Sequence, residues 1–198
     1  MPMFRAQSCG EKGIERTMRK APSIAIIASL ALALGGCAAL SRGPVGIHAV
    51  PQPAKSVELD RYLGRWYEIA RYEASFQRGC EAVTADYSRN GDGSIRVLNT
   101  CRQGSVDGRL KTATGKAKIA DSQTQAKLRV SFFFPFFGDY WVLDHADDYS
   151  WSIVGEPSGR YLWLLAREAR PDPATRSTLE TRAKELGYDW SLVRVTKH

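Results

Sequence analysis

Between residues 65 and 168 the chain is a series of short segments in which apolar and polar side chains alternate. Helical periodicity is missing from this region, and Gly, Pro, Asn and Asp mark turns between the segments. Leu128, Val130 and Phe132, for example, share one face of a strand. Many short, evenly spaced strands are typical of an antiparallel sandwich or barrel. The eight predicted strands are residues 65–72, 81–89, 94–102, 109–120, 126–134, 139–145, 149–155 and 160–167.

The hydrophobic pattern changes near the C-terminus. Leu179, Ala183 and Leu186 recur at the spacing of one helix face. We therefore expect one helix over residues 174–186, followed by a short strand at 191–195.

The charge distribution excludes one class of partner. The 198 residues carry a formal net charge of +7, of which residues 1–36 contribute +3 and the remainder +4. The basic side chains after residue 36 are not clustered on one face, which nucleic acid binding requires. We expect no nucleic acid partner, and the length suits a single domain with a short appendage.

The N-terminal region has the features of a bacterial lipoprotein signal. A basic start at residues 18–20 precedes an apolar run over 21–34, which is too short for a membrane span of about 20 residues. The run ends in Leu34-Gly35-Gly36-Cys37, which resembles the lipobox, where the cysteine thiol receives a diacylglycerol. The alternative is a secreted protein in which this cysteine is incidental.

This interpretation divides the N-terminal third of the chain into three parts. Residues 1–17 are interpreted as an overlong gene start, with residues 18–36 as the signal peptide. Residues 37–57 are rich in Ala, Gly and Pro, so we expect a flexible tether that begins at lipidated Cys37. Ala38 follows the cysteine in place of an Asp that would favour the inner membrane, so we expect the outer membrane, with the barrel in the periplasm.

The cysteines that remain after processing are Cys80 and Cys101. The strong turn signal at residues 90–93 lies between them and places them nearly opposite each other in a hairpin, if one bulge is allowed. An oxidising periplasm favours their pairing. We expect a disulfide, with a free catalytic thiol at Cys80 as the alternative, although no neighbouring His would activate it.

Several motifs resemble those of the lipocalin family. The first strand contains Gly-Arg-Trp-Tyr-Glu-Ile-Ala-Arg at 64–71, similar to the family's opening signature, and 161–167 is similar to its closing strand. Residues 130–136 and 140–144 resemble the bacterial outer-membrane lipoproteins of the Blc group, apolipoprotein D and plant temperature-induced lipocalins. The resemblance implies an all-β fold over residues 58–198: an eight-stranded antiparallel up-and-down barrel with a C-terminal α-helix and a short final strand.

The family topology implies which residues close the barrel. Trp66 and Arg167 should meet at the closed end, where an Arg lying over an indole ring makes a cation–π contact and satisfies nearby carbonyls. Gly64 would let the backbone approach closely. We interpret these three residues as structural.

The interior is expected to hold one small ligand, because eight strands leave a narrow space. If Trp66 points inward, a period of two places Ala70 and Tyr72 inward as well, with Tyr161 and Trp163 on the eighth strand. The aromatic residues from Phe132 to Tyr140 are expected to cluster at the open mouth. The alternative is that these side chains only fill the core. The candidate lipid-binding residues are Tyr72, Phe132, Phe134, Tyr140, Trp151, Tyr161 and Trp163.

These features predict a membrane-anchored carrier that stores or moves fatty acids or lysophospholipids for outer-membrane maintenance. The alternatives are a haem- or pigment-carrying lipocalin and a lipocalin-fold enzyme with a reactive Cys80. No cofactor and no metal are expected, since the three histidines lie in the tether, a turn and the tail, and hydrolase and phosphate-loop motifs are missing. Formation of a homodimer is left open.

Overall fold

The computed structural model describes residues 44–198. The predicted leader, Cys37 and the first part of the tether therefore lie outside the described residues. The described chain contains two α-helices, α1 (Leu59–Tyr62) and α2 (Pro173–Glu185). Its strands are β1 (Gly64–Tyr72), β2 (Cys80–Arg89), β3 (Ile95–Gln103), β4 (Arg109–Ile119), β5 (Lys127–Phe133), β6 (Phe136–His145), β7 (Trp151–Gly155), β8 (Leu162–Ala166) and β9 (Val193–Val195).

The first eight strands close into a barrel. Each strand pairs antiparallel with the next, and β1 pairs with both β8 and β2, so the sheet has no free edge at this seam. The predicted eight-stranded up-and-down barrel is confirmed, and so are the C-terminal helix and the short final strand.

The final strand β9 completes the wall between β1 and β2. Direct pairing of β1 with β2 covers only Gly64–Tyr67 and Thr84–Tyr87. Beyond that point β9 pairs with the end of β1. The Ala82 amide then donates to the Lys197 carbonyl at 2.7 Å, so the C-terminal residues fill the gap.

The up-and-down order gives the barrel two distinct ends. At the closed end lie α1, the start of β1 and the end of β8. At the open end lie the loops over residues 73–79, 104–108, 134–135 and 156–161.

The wall formed by β6, β7 and β8 is apolar on both faces because successive side chains point to opposite sides. The inner face belongs to one buried cluster and the outer face to a second, which includes Leu179 and Ala183 of α2. The Asp172 carboxylate accepts a hydrogen bond from the Thr175 amide at 2.7 Å and caps this helix. Inner-face residues include Val142, Val154 and Leu165; outer-face residues include Leu143, Ile153 and Leu164.

The N-terminal described segment runs along the outside of the barrel from the open end to the closed end. The Gly46 amide donates to the Gly159 carbonyl in the β7–β8 loop at 2.9 Å, and the Val57 amide donates to the Thr124 carbonyl in the β4–β5 loop at 2.7 Å. Gly159 has a φ of +67°, and a Cβ there would lie 1.9 Å from the carbonyl oxygen of Ile47, so the contact requires glycine.

This segment differs from the flexible tether that composition predicts for residues 37–57. Ile47 and Val50 pack against the outer apolar cluster, and Val57 belongs to the inner one. Burial of these three apolar side chains gives residues 46–57 a fixed place on the barrel wall. Within residues 44–198, no helix is long and apolar enough to span a membrane.

Candidate functional site in the barrel lumen

The closed end of the lumen is sealed by Trp66 and Arg167. Trp66 is fully buried, its indole N–H donates to the Tyr62 carbonyl at 2.8 Å, and the Arg167 guanidinium lies 3.8 Å from the ring centroid. The same guanidinium donates to the carbonyls of Arg61 and Arg65, both at 2.7 Å. Burial lowers the pKa of Arg167, but the cation–π contact and these carbonyls suit the charged form.

Gly64 lies at this floor beside the arginine. Its φ is +90°, a conformation that other residues adopt only with strain, and a Cβ there would stand 3.5 Å from Arg167 Nη1. The structure thus brings Gly64, Trp66 and Arg167 together at the closed end.

A cluster of hydroxyl groups lies above this floor. Tyr140 Oη lies 3.0 Å from both Tyr62 Oη and Tyr87 Oη, and Tyr62 Oη lies 3.1 Å from Ser152 Oγ. Burial raises the pKa of Tyr62 to about 12 and raises the pKa values of Tyr87 and Tyr140 further. The phenols are therefore neutral and can exchange hydrogen bonds with a polar group of a ligand.

The position of Tyr140 corrects the expectation that it lies at the open mouth. It is paired with Leu128, several residues away from the tip of the β5–β6 hairpin. At about 3.3 Å per residue, the five residues from Pro135 to Tyr140 carry the chain roughly 17 Å along the strand, away from the open end. Tyr140 faces the lumen, but deep inside it.

Apolar side chains line the middle of the lumen. Ala85, Val130 and Trp163 pack on the inner cluster yet keep part of their surface exposed, although the strands enclose them. Ala85 on β2 and Ala117 on β4 place small side chains on this inner face.

One polar group on this inner wall was missed by sequence reasoning. Asn99 is paired with Ala85 and Ala113 on the lumen side of β3, and its Oδ1 is buried without a hydrogen-bond partner among the described residues. A buried acceptor of this kind favours a ligand that donates a hydrogen bond. The alternation of β3 could have placed it inside, but a lone Asn has no distinguishing sequence signal.

Aromatic side chains line the lumen near the open end. Tyr161 and Trp163 are stacked with ring centroids 5.6 Å apart, and Phe76 lies 5.7 Å from Tyr161. The Trp163 indole N–H donates to Gln77 Oε1 at 3.1 Å. Two of the candidate lipid-binding residues therefore meet here.

The two phenylalanines of the candidate set differ in position. Phe132 lies over Gly115 on the inner side of the rim, where a Cβ on the glycine would be 2.8 Å from the phenyl ring. Phe134 lies at the hairpin tip and is 86% exposed. Only Phe132 therefore borders the lumen.

A buried ionic network forms the wall beside Trp163. Arg71 is fully buried, donates to Glu68 at 2.6 Å and Glu73 at 3.0 Å, and lies opposite Trp163 in the β1–β8 ladder. Burial opposes its charge, but Glu68 and Glu73 outweigh that cost and raise the pKa of Arg71. Since both carboxylates are close, Arg71 is already neutralised by the protein.

Tyr72 lies outside the lumen because of a register shift in the same part of β1. The pairing of β1 with β8 shifts register between Glu68 and Ala70, which turns Arg71 inward and Ala70 and Tyr72 outward. The Tyr72 hydroxyl donates to the Asp189 carbonyl at 2.8 Å. The expectation that Ala70 and Tyr72 face the lumen is corrected, because uninterrupted alternation does not hold across a bulge.

Trp151 also lies outside the lumen. It packs with the outer cluster and lines an open surface groove of about 350 Å³ beside α2, together with Lys55, Asp144 and Arg182. Most of the side chains that line this groove are polar, and its Asp144 carboxylate accepts a hydrogen bond from Arg182 at 2.6 Å, so the groove is not assigned as the lipid site. The alternation of β7 is as predicted, but α2 covers the face that carries Trp151.

The predicted disulfide is confirmed. Cys80 and Cys101 are joined with an S–S distance of 2.07 Å, and the bulge that their pairing needs lies between Glu81 and Thr84. A disulfide sulfur is not a thiolate, so Cys80 lacks the form that a nucleophilic enzyme would use.

Side chains of the types that bind metal ions do not form a cluster among the described residues. No group of three or more His, Cys, Asp or Glu able to hold a metal occurs within residues 44–198. His145 lies at the closed end, stacked on Tyr149, with Nε2 3.1 Å from the Ser56 carbonyl. His198 Nε2 lies 2.8 Å from the Glu68 carbonyl.

A closed antiparallel barrel with a floor at one end and a partly exposed apolar inner wall defines the class of β-barrels that enclose one small ligand. The chain belongs to the lipocalin family: the model of the lipocalin-like domain matches residues 57–198. The outer membrane lipoprotein Blc of Vibrio cholerae is 39% identical over 154 residues, which cover 77% of this chain and 90% of that protein. Temperature-induced lipocalin-1 of Arabidopsis thaliana is 39% identical over 151 residues, with 72% and 80% covered.

More distant likenesses extend to animal proteins. Apolipoprotein D of Mus musculus is 33% identical over 149 residues, which cover 70% of this chain and 76% of that protein. Among solved structures, insecticyanin of the tobacco hornworm Manduca sexta superposes with a TM-score of 0.63 at 20% identity, covering 78% of this chain and 88% of that one. At this identity the likeness shows the fold alone.

Proposed function

We propose that this protein is a membrane-anchored carrier that binds a fatty acid or a lysophospholipid in the barrel lumen and serves outer-membrane maintenance. The observation that carries the proposal is the partly exposed apolar inner wall, which includes Val130 and Trp163. An enclosed apolar surface that side chains leave incompletely covered favours an apolar guest.

A single acyl chain suits this lumen. Each methylene that leaves water contributes about 0.8 kcal/mol, so a chain lying along the barrel gains affinity with its length. Eight strands enclose a narrow interior, which favours one chain over two. The polar head would stay at the open end, where the Tyr161 hydroxyl offers a hydrogen-bonding group.

The anchor is proposed at Cys37. The basic start, apolar core and Leu34-Gly35-Gly36-Cys37 support lipidation, and relatives such as Blc of Vibrio cholerae are outer membrane lipoproteins. The Cys80–Cys101 disulfide is consistent with an oxidising compartment such as the periplasm.

Native mass spectrometry of the mature protein, purified from membranes, tests the proposal. We expect one single-chain lipid per barrel and an N-terminal peptide that begins at acylated Cys37. Barrels that carry only two-chain phospholipids would contradict the choice of ligand, and an unmodified Cys37 would contradict the anchor. Strong visible absorbance of the purified protein would support the haem- or pigment-carrying alternative instead.

A further inference from the structure

We propose that the open end of the barrel docks onto the surface of a bilayer, with the mouth facing the lipid. The contact is made by an apolar rim, defined as Phe76, Val106, Leu110, Phe133, Phe134 and Phe136. This inference rests on the proposed function, because the acyl anchor at Cys37 supplies the membrane.

The rim exposes more aromatic surface than a water-facing loop requires. Phe133 is 81% exposed, Phe134 86% and Phe136 77%, and all three lie at the tip of the β5–β6 hairpin. Residues 131–138 contain no charged side chain. A contiguous exposed apolar patch of this kind marks an interaction surface.

The other open-end loops add to the same surface. Phe76 in the β1–β2 loop is 69% exposed, and Leu110 at the start of β4 is 51% exposed. Because the strands run alternately up and down, these loops lie at the same end as the hairpin tip. The apolar side chains therefore surround the entrance to the lumen.

Basic side chains accompany the rim. The β3–β4 loop and its flanks, residues 101–111, contain Arg102, Arg109 and Lys111 against Asp107. All four charged residues are exposed, which leaves a net positive charge beside Val106 and Leu110. Apolar side chains flanked by Lys and Arg are the pattern that binds the interface of a bilayer with anionic lipids.

The closed end carries charges of both signs. In its turns Asp92 pairs with Lys116, and Asp147 pairs with Lys55. Ile119, which is 40% exposed, is the one large apolar side chain exposed near this end among the described residues. Among the described residues, the closed end therefore offers a bilayer much less exposed apolar surface than the open end.

The course of the N-terminal segment agrees with this orientation. The Gly46 amide is hydrogen-bonded to the β7–β8 loop at the open end. Cys37 lies nine residues before Gly46 in the sequence. Nine residues span at most about 30 Å when extended, and roughly 15–18 Å as a flexible chain. A lipid on Cys37 would thus hold the open end, and not the closed end, near the bilayer.

A bilayer is a better occupant of the rim than a second copy of the chain. A symmetric contact between two open ends would bring the basic groups of both copies together, and this like-charge repulsion opposes association. Docking on a bilayer instead pairs those groups with anionic lipid headgroups. It also lets a single-chain lipid pass between membrane and lumen without crossing water.

Depth-dependent quenching tests this orientation. The mature lipoprotein is reconstituted in vesicles of phosphatidylethanolamine and phosphatidylglycerol, with and without brominated acyl chains. A tryptophan is introduced at the rim by Phe134→Trp or at the closed end by Ile119→Trp, and the wild-type signal of the native tryptophans is subtracted. We expect brominated lipid to remove most of the fluorescence added by Phe134→Trp and little of that added by Ile119→Trp.

Other results would overturn the inference in distinguishable ways. Equal quenching of both probes, or of neither, in a lipidated protein that still binds lysophospholipid would reject the docking but leave the proposed function. A concentration-dependent blue shift of the Phe134→Trp probe without vesicles, and no quenching by brominated lipid, would assign the rim to a second copy. An unmodified Cys37 would reject the anchor and the orientation together.

Discussion

The two faces of the β7–β8 wall are both apolar, but they are packed in different ways. On the outer face, Ile153 and Leu164 are fully covered by α2 and its neighbours. On the inner face, Trp163 keeps part of its surface exposed inside the barrel. The outer face is therefore a fully buried core that contributes stability, whereas the inner face retains exposed apolar surface that a ligand can bury.

The floor residue Trp66 should give the largest effect on stability, because it belongs to the inner face but is packed as tightly as the outer one. Trp66→Ala removes the ring beneath Arg167 and leaves that guanidinium without its aromatic partner. We expect the free energy of unfolding to fall by about 3–5 kcal/mol, measured by urea denaturation. The half-buried Trp151→Ala is the control, and a loss no larger than that of the control would contradict this role for Trp66.

The difference between faces can be sharpened with two adjacent leucines of β8. Leu164 faces α2 and is 1% exposed, so Leu164→Ala should cost about 2–5 kcal/mol of stability. The affinity of the Leu164→Ala variant for lysophospholipid should stay at the wild-type value, as measured by calorimetric titration. Leu165→Ala, on the inner face, is the matched variant and should change lipid affinity. Equal effects of the two variants on affinity would break the distinction between faces.

Sequence patterns predicted the strands well because a period of two and turn residues are local signals. The same period cannot say which apolar face is the lumen, since that depends on where α2 packs. Trp151 was for this reason assigned to the wrong side of the wall. Tyr72 was misplaced by the register shift near Ile69, and bulges of this kind have no reliable sequence signature.

At the closed end and at the junction of β1, β9 and β2, the sequence likewise predicted some features and missed others. A resemblance to lipocalins was sufficient to expect Trp66 beside Arg167, because both residues lie in family motifs. The hydroxyl cluster around Tyr140 joins α1, β2 and β6, which are far apart along the chain. Likewise, β9 was predicted as a strand, but its insertion between β1 and β2 follows from tertiary pairing.

A smaller effect on stability is expected at low pH, where the Asp172 cap of α2 in the outer layer loses its charge. Hydrogen bonds from Thr175 to Asp172 at the start of α2 lower the pKa of Asp172 below the usual value of an aspartate. The cap therefore contributes stability above the unfolded-state pKa, and this contribution is lost as the pH falls through the lower folded-state pKa. Asp172→Asn, which cannot ionise, should flatten this part of the stability profile measured by urea denaturation between neutral pH and pH about 2. An unchanged profile would show that the cap does not couple α2 to the barrel.

The most direct test of the lumen as the lipid site compares two tryptophans on opposite faces. Wild type, Trp163→Ala and Trp151→Ala are titrated by calorimetry with lysophospholipid and with a fatty acid. We expect Trp163→Ala to weaken binding by at least about tenfold, which is ~1.4 kcal/mol, and Trp151→Ala to bind like wild type. Wild-type affinity in Trp163→Ala, or no saturation of the wild-type protein at micromolar lipid, would contradict the lumen as the binding site.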